Sequence, residues 1–231
     1  MFDTCVLSNL QRPDLLAGTL RSLARSGLQT LTLYCDRSPE PSPGNHACVY
    51  LAALRAMTER AEADGSAWLL MCEDDIGVPV GFGDHLSHLC SLLAPQREIL
   101  GFATLFCSLG YRDWVNAHRV AVAPQFGRLI PDDCYAGTQC LLLPICGVRQ
   151  LIPPMEACRK AAPDWGGDRI LGAAVQQLGL EAWCHTPSLV DHRGRQQTTV
   201  ASRADNLAMV AADYVGDETG SWELEAGSWG R

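Results

Sequence analysis

A short apolar run over residues 3–8, closed by Ser8-Asn9, opens the chain, and the period then changes: after Pro13-Asp14 the apolar positions Leu15, Leu16, Leu20 and Leu23 recur at helical spacing. The pattern predicts strand, loop, helix. Gly27 is placed to end the helix, and Leu28 to Tyr34 alternates around threonines as a second strand does, with Asp36 at its carboxyl end. The Pro/Ser/Gly stretch from Ser38 to Gly44 reads as a loop, after which Asn45 is placed to cap a long helix reaching about Ala63. Trp68 to Cys72 is apolar throughout, as a central parallel strand covered on both faces should be, and it stops at Glu73-Asp74-Asp75. Further on, the pattern predicts a helix over 80–93, a strand over 99–105, an apolar strand over 137–143 ending at Pro144, and a short helix near Val148, while 107–136 shows no clear period. Asp164-Trp165-Gly166-Gly167-Asp168 then leads into a helix whose Ile170, Leu171, Ala174, Val175 and Leu178 share one face, followed by Gly179 and a small strand from Ala182 to Cys184. Repetition of strand and helix predicts an α/β sheet with right-handed crossovers.

Length and composition narrow the class. A chain of 231 residues suits one domain of generous size, and 47% hydrophobic with 19% charged residues excludes a disordered or fibrous chain. The basic and acidic residues, 18 and 26, leave a net charge of −8, so the overall field draws the protein neither to nucleic acid nor to an anionic membrane. The start, Met1-Phe2-Asp3-Thr4-Cys5, has neither a basic stretch nor a long apolar run, so no signal peptide and no membrane span are expected, and a cytoplasmic location follows. Eleven cysteines sit singly with no C-x-x-C pair, which argues against a zinc site; most lie in apolar runs such as Leu70-Met71-Cys72, where buried free thiols are expected. Residues 1–200 read as a single catalytic domain, and 201–231, acidic and carrying Trp222 and Trp229, as a C-terminal arm.

Three consecutive carboxylates after an apolar strand repel one another in any enclosed site unless a countercharge is present. A divalent cation would supply it, and hard oxygen ligands suit Mg²⁺ or Mn²⁺. The carboxyl ends of parallel strands are also where α/β sheets bind ligands. The triplet alone equally fits an acidic loop at a helix start, favoured by the helix dipole.

The segment Trp68-Leu-Leu-Met-Cys-Glu-Asp-Asp-Ile76 resembles the apolar strand and acidic metal motif of GT-A-type glycosyltransferases, in the manner of their family 2 and family 25 branches. Cys5 to Leu23 looks like the first strand, nucleotide-contacting loop and helix of that group, and Gly137-Thr-Gln-Cys-Leu-Leu-Leu-Pro144 like the strand after its acceptor loop. Gly167-Asp-Arg-Ile-Leu171 resembles the turn that supplies a catalytic base, and Pro187-Ser-Leu-Val-Asp-His192 the late segment whose histidine completes the metal shell. The matches fall in order across most of residues 3–195.

The resemblance implies a GT-A-type, Rossmann-like mixed sheet flanked by helices and metal-dependent hexosyl transfer from a nucleoside-diphosphate sugar, with a uridine diphosphate (UDP) sugar favoured. Glu73, Asp75 and His192 would hold Mn²⁺ or Mg²⁺; Ser8, Asn9, Arg12, Asp36, Asn45 and Asp74 would contact nucleotide; Arg193 and Arg195 would clamp the diphosphate; Asp168, with Asp164 as second candidate, would be the base. Two departures are visible: the acidic motif is Glu-Asp-Asp rather than Asp-x-Asp, and Gly167-Asp168 stands where an acidic pair is usual. Saccharide, lipid and protein hydroxyls are all open as acceptors, as are the hydroxymethylated DNA bases used by phage-type glycosyltransferases. A non-catalytic sugar-nucleotide or protein-binding module of the same fold is the competing class. Dinucleotide-dependent hydride transfer is disfavoured because no G-x-G-x-x-G follows the first strand.

Overall fold

A computed structural model describes residues 2–28, 30–37, 42–130, 137–194 and 210–214. Strand β1 (Phe2–Ser8), helix α1 (Pro13–Arg25), β2 (Leu31–Cys35), α2 (Pro43–Asp64) and β3 (Trp68–Glu73) form the first half, each close to its predicted place. A two-residue strand β4 (Ile76–Gly77), α3 (Phe82–Leu93) and β5 (Leu100–Thr104) follow. The stretch without a clear period resolves into α4 (Arg112–Ala117), β6 (Arg119–Val120) and β7 (Ala123–Leu129), elements too short or too exposed to impose a period on the sequence. The chain continues through β8 (Cys140–Pro144), α5 (Ile145–Ala161), α6 (Gly167–Leu178), β9 (Glu181–His185) and a third two-residue strand, β10 (Asp191–His192).

Eight strands make one mixed sheet in the order β2-β1-β3-β8-β5-β9-β7-β6, flanked by helices, consistent with the GT-A-type, Rossmann-like sheet that the sequence resemblance implies. Its two faces are read directly from alternation within β3. Leu69 and Met71 pack toward α2, α5 and α6 with Leu54, Met155 and Leu171; Leu70 and Cys72 pack toward α1 and α3 with Leu23, Phe82 and Leu86. Both faces are covered, which is why β3 is apolar throughout.

The structure corrects four expectations. β3 is parallel to β1 but antiparallel to β8 on its other edge, because an unbroken apolar run reports burial on two faces and not strand direction. α5 is 17 residues long rather than short, and it passes through Pro153 and Pro154; packing of Val148, Leu151, Pro154 and Met155 into the core offsets the backbone bonds those prolines forfeit. α2 is capped by Ser42, whose Oγ accepts the Asn45 N–H at 3.1 Å, so Asn45 lies inside the first turn instead of before it. Cys5, Cys72, Cys90, Cys107, Cys140 and Cys184 are buried free thiols, but Cys48 is exposed and Cys35, Cys146 and Cys158 are half-buried, on helix and strand positions that face outward. Residues 210–214 of the proposed arm lie against the fold, with the Ala212 N–H on the Cys107 carbonyl at 2.6 Å; the tryptophans of the arm lie outside the described residues.

Candidate metal centre

β1 is flanked by β2 and β3, both parallel to it, and the helices that lead to them cover opposite faces of the sheet. The crevice between the carboxyl ends of β1 and β3 is therefore a topological switch point, where α/β sheets receive ligands. Alternation along β3 sends Glu73 to the α2 and α6 side, and the tight turn to β4 brings Asp74 and Asp75 back over the crevice.

Three elements hold that turn. From α1, the Thr19 hydroxyl lies 2.9 and 2.8 Å from the main-chain carbonyls of Asp74 and Ile76. From the end of β1, the Ser8 hydroxyl donates to Asp74 Oδ2 at 2.5 Å. From the N-cap position of α1, the Arg12 guanidinium donates to Asp74 Oδ1 and, at 2.5 Å, to Asp75 Oδ2. Opposite, β10 pairs antiparallel with β4, placing His192 against Ile76 and its Nε2 3.2 Å from Asp75 Oδ2. The Arg193 N–H donates to the Asp75 carbonyl at 2.7 Å, and Gly194 passes so close that a Cβ there would stand 2.0 Å from Asp75 Oδ2. Glu73 is held from β8's approach: Thr138 Oγ1 donates to its Oε1 at 2.5 Å, and its own N–H donates to the Gln139 carbonyl at 2.9 Å.

The outcome is a cluster of Glu73, Asp75 and His192 whose ligating atoms all lie within 4.8 Å of one another, a group that could hold a metal ion. Two observations fit such an ion. Asp75 Oδ1 is buried and has no hydrogen-bond partner among the described residues, a costly state for a carboxylate oxygen that a cation would relieve. With His192 neutral, as a metal ligand is, Glu73, Asp74 and Asp75 carry three negative charges when ionised and Arg12 returns one, leaving the net two that a divalent ion neutralises. Carboxylate oxygens with one imidazole suit several such ions.

Burial, reinforced by the charge of Asp75, pushes the Glu73 carboxyl up, and burial pushes Asp74 up despite Ser8 and Arg12. Burial would raise Asp75 as well, but the hydrogen bond and charge of His192, with Arg12, outweigh it and hold this carboxyl below its ordinary value. Of the three consecutive acids, Asp75 alone is held below its ordinary value.

The other predicted residues divide by place. Asp36 follows β2 with its N–H on the Ser8 carbonyl at 2.7 Å, beside the crevice. Asn9 shapes the loop after β1, its Oδ1 accepting the Gln11 N–H at 3.0 Å. Asn45 sits in the first turn of α2, and Arg193 is exposed with its guanidinium lying over Gly77. Arg195 lies outside the described residues. Asp168 is the second residue of α6, its Oδ1 accepting the Arg169 N–H at 2.9 Å, and burial pushes its carboxyl up; Asp164 is exposed in the preceding turn.

Thr19, Thr138, His46 and Tyr50 belong to this neighbourhood and carry no motif of their own. His46 and Tyr50 are one helical turn apart on α2, and the Gly167 N–H donates to His46 Nδ1 at 3.3 Å, tying the start of α6 to the start of α2. His46 bears electrostatically on both Glu73 and Asp168, so the acidic cluster and the start of α6 share one polar environment. Spacing of four residues on the predicted helix was the available signal for this pair.

Fold and site define a mixed α/β protein with an acidic and histidine cluster at its strand ends. No protein-family model matches the chain, and no curated protein matches its sequence. Among solved structures, it is similar to a glycosyltransferase involved in the glycosylation of the major capsid of PBCV-1, at 11% identity over 70% of this chain and 68% of that one, with a TM-score of 0.39. It is also similar to A197 from STIV, at 11% identity over 83% of this chain and 84% of that one, with a TM-score of 0.45. The fold assignment rests on the sheet itself. Among the described residues no helix is long and apolar enough to cross a membrane.

Proposed function

We propose that the protein is a metal-dependent glycosyltransferase that moves a sugar from a nucleoside-diphosphate sugar, with UDP as the nucleotide, to an acceptor hydroxyl. The observation that carries this reading is the Glu73–Asp75–His192 cluster at the switch point, with an unsatisfied Asp75 oxygen and a net charge suited to a divalent ion. Mn²⁺ or Mg²⁺ bound there would act as a Lewis acid toward the leaving diphosphate.

The protein's own groups complete the assignment. Arg12 and Ser8 fix Asp74, so that Asp75 and Glu73 keep their carboxylates on the crevice. Asn9, Asp36 and Asn45 would contact the nucleotide, and Arg193 with Arg195 would offer guanidinium donors to a diphosphate. Asp168, whose proton affinity burial raises, takes the acceptor hydroxyl proton as the oxygen attacks the anomeric carbon and the bond to diphosphate breaks. Direct displacement of this kind inverts the anomeric centre. Residues 1–200 form the catalytic unit and 201–231 the arm, with a cytoplasmic place of action. The ordered motifs described above support the transferase class.

A screen of nucleotide sugars for metal-dependent release of nucleoside diphosphate tests this reading. UDP should be released from a UDP-sugar only with Mn²⁺ or Mg²⁺, and Asp168→Asn should lower turnover by about 10²–10⁴ while donor and metal binding persist. Turnover with guanosine or cytidine sugars alone would overturn the donor, and full activity of Asp168→Asn would remove the base from α6. Nucleotide-sugar binding without turnover on any acceptor would favour the binding module.

A further inference from the structure

Tyr50 occupies the second turn of α2 and is fully buried, its ring packed under the start of α6: a Cβ on Gly167 would lie 3.0 Å from Tyr50 Cγ. The ring is ordinary core. The hydroxyl is not, because Tyr50 Oη is buried and has no hydrogen-bond partner among the described residues. A phenol enclosed in this way is normally satisfied, since its partner in water has been surrendered. Its surroundings are not apolar either: Glu73 leaves β3 on the face that α2 covers, and Asp168 follows Gly167, against which the ring packs, so burial and then these carboxylates keep the phenol in its neutral, proton-donating form.

One of those neighbours belongs to the metal cluster. Glu73 accepts a hydrogen bond from Thr138 on Oε1, and no other side-chain donor is seen on this carboxylate among the described residues. Carboxylates that ligate a metal are held by further hydrogen bonds, which fix the orientation of the ligand. We propose that Tyr50 is a positioning residue for the metal centre, its hydroxyl becoming the second donor to Glu73 when a divalent ion fixes that carboxylate. The inference rests on the metal-binding part of the reading above and on nothing about donor or acceptor.

Tyr50→Phe removes the hydroxyl and keeps the ring, so a purely structural role and the positioning role part company. In both cases the metal-free variant should melt at the wild-type temperature or higher, because an unsatisfied polar group has been deleted from the core. Only the positioning role changes the ion. Mn²⁺ titrated by calorimetry into Tyr50→Phe should bind about 10–100-fold more weakly than into wild type, the range for loss of a hydrogen bond to a metal ligand. Thr138→Val, which deletes the donor already in place, should weaken Mn²⁺ to a similar degree but also lower the melting temperature. Wild-type Mn²⁺ affinity in Tyr50→Phe, with Thr138→Val impaired, would overturn the inference and leave the metal centre standing. Absence of Mn²⁺ binding to the wild type would overturn both.

Discussion

Arg12 shows most plainly how the site is balanced. Its guanidinium is 12% exposed and bridges two acids that are 1 and 2% exposed, so the crevice contains its own partial countercharge. Removing one partner from such a buried pair costs about 3–5 kcal/mol, because the remaining charges are left uncompensated. Arg12→Ala should therefore melt on the order of 10 °C below wild type without metal, taking about 2–4 °C per kcal/mol for a chain of this size. Mn²⁺ should restore more of that loss than it adds to the wild type, since three acids then await it rather than a net two. Equal Mn²⁺ shifts in the two proteins, read by thermal melting, would mean that the ion does not share carboxylates with Arg12. In the sequence Arg12 is one arginine among many and reads as a nucleotide contact or a surface charge; nothing in the order of residues says that it reaches back over the turn after β3. The carboxylates themselves are legible because three acids in a row after an apolar strand are electrostatically unusual.

At the scale of elements, two of the shortest strands matter most. β4 and β10 have two residues each, leave no periodic trace, and yet bring His192 from far along the chain to Asp75. Two glycines flank that ribbon with unequal tolerance. At Gly77, which is buried, the three atoms nearest an added Cβ all belong to the Arg193 guanidinium, the far end of an exposed and flexible side chain, so Gly77→Ala should leave Mn²⁺ affinity within a factor of about two, as for changes that cost no more than about 0.5 kcal/mol. At Gly194 the same Cβ would meet Asp75 Oδ2 at 2.0 Å and Cγ at 2.6 Å, and that carboxylate is already pinned by Arg12 and His192. Gly194→Ala should weaken Mn²⁺ by about tenfold or more, although no ligand has been changed, since a displaced ligand forfeits its geometry. Identical affinities in the two variants, measured by calorimetry, would show that Asp75 moves freely. Helix and strand positions elsewhere are legible wherever one face is buried, as in α1, α2 and α6; α5 is not, because its prolines obscure a helix that tertiary packing sustains.

Across the whole molecule, the two buried faces make the sheet predictable and its directions unpredictable. Apolar runs mark β1, β3, β5 and β8, but the antiparallel place of β8 between β3 and β5 depends on where the chain enters the sheet, which local sequence does not encode. The polar neighbourhood is similarly assembled from distant pieces: Ser8 and Arg12 from the first loop, the acids after β3, Thr138 before β8, Asp168 at α6 and His192 at β10. Resemblance to ordered motifs supplied the acids and the histidine; the hydroxyls of Thr19, Thr138 and Tyr50 became visible only with the fold.

The most direct measurement is calorimetric titration of Mn²⁺ into wild-type protein and into Asp75→Ala, each with and without UDP. Asp75 offers the buried Oδ1 that lacks a partner among the described residues and is the one of the three consecutive acids held below its ordinary value, so its loss removes the centre of the cluster. Wild type should bind one Mn²⁺, with UDP and Mn²⁺ each tightening the other as linked ligands must. Asp75→Ala should show neither Mn²⁺ binding nor metal-dependent UDP binding. Undiminished Mn²⁺ affinity in Asp75→Ala, in the presence of UDP, would reduce the acidic turn to a structural cap and contradict the metal centre on which the functional account stands.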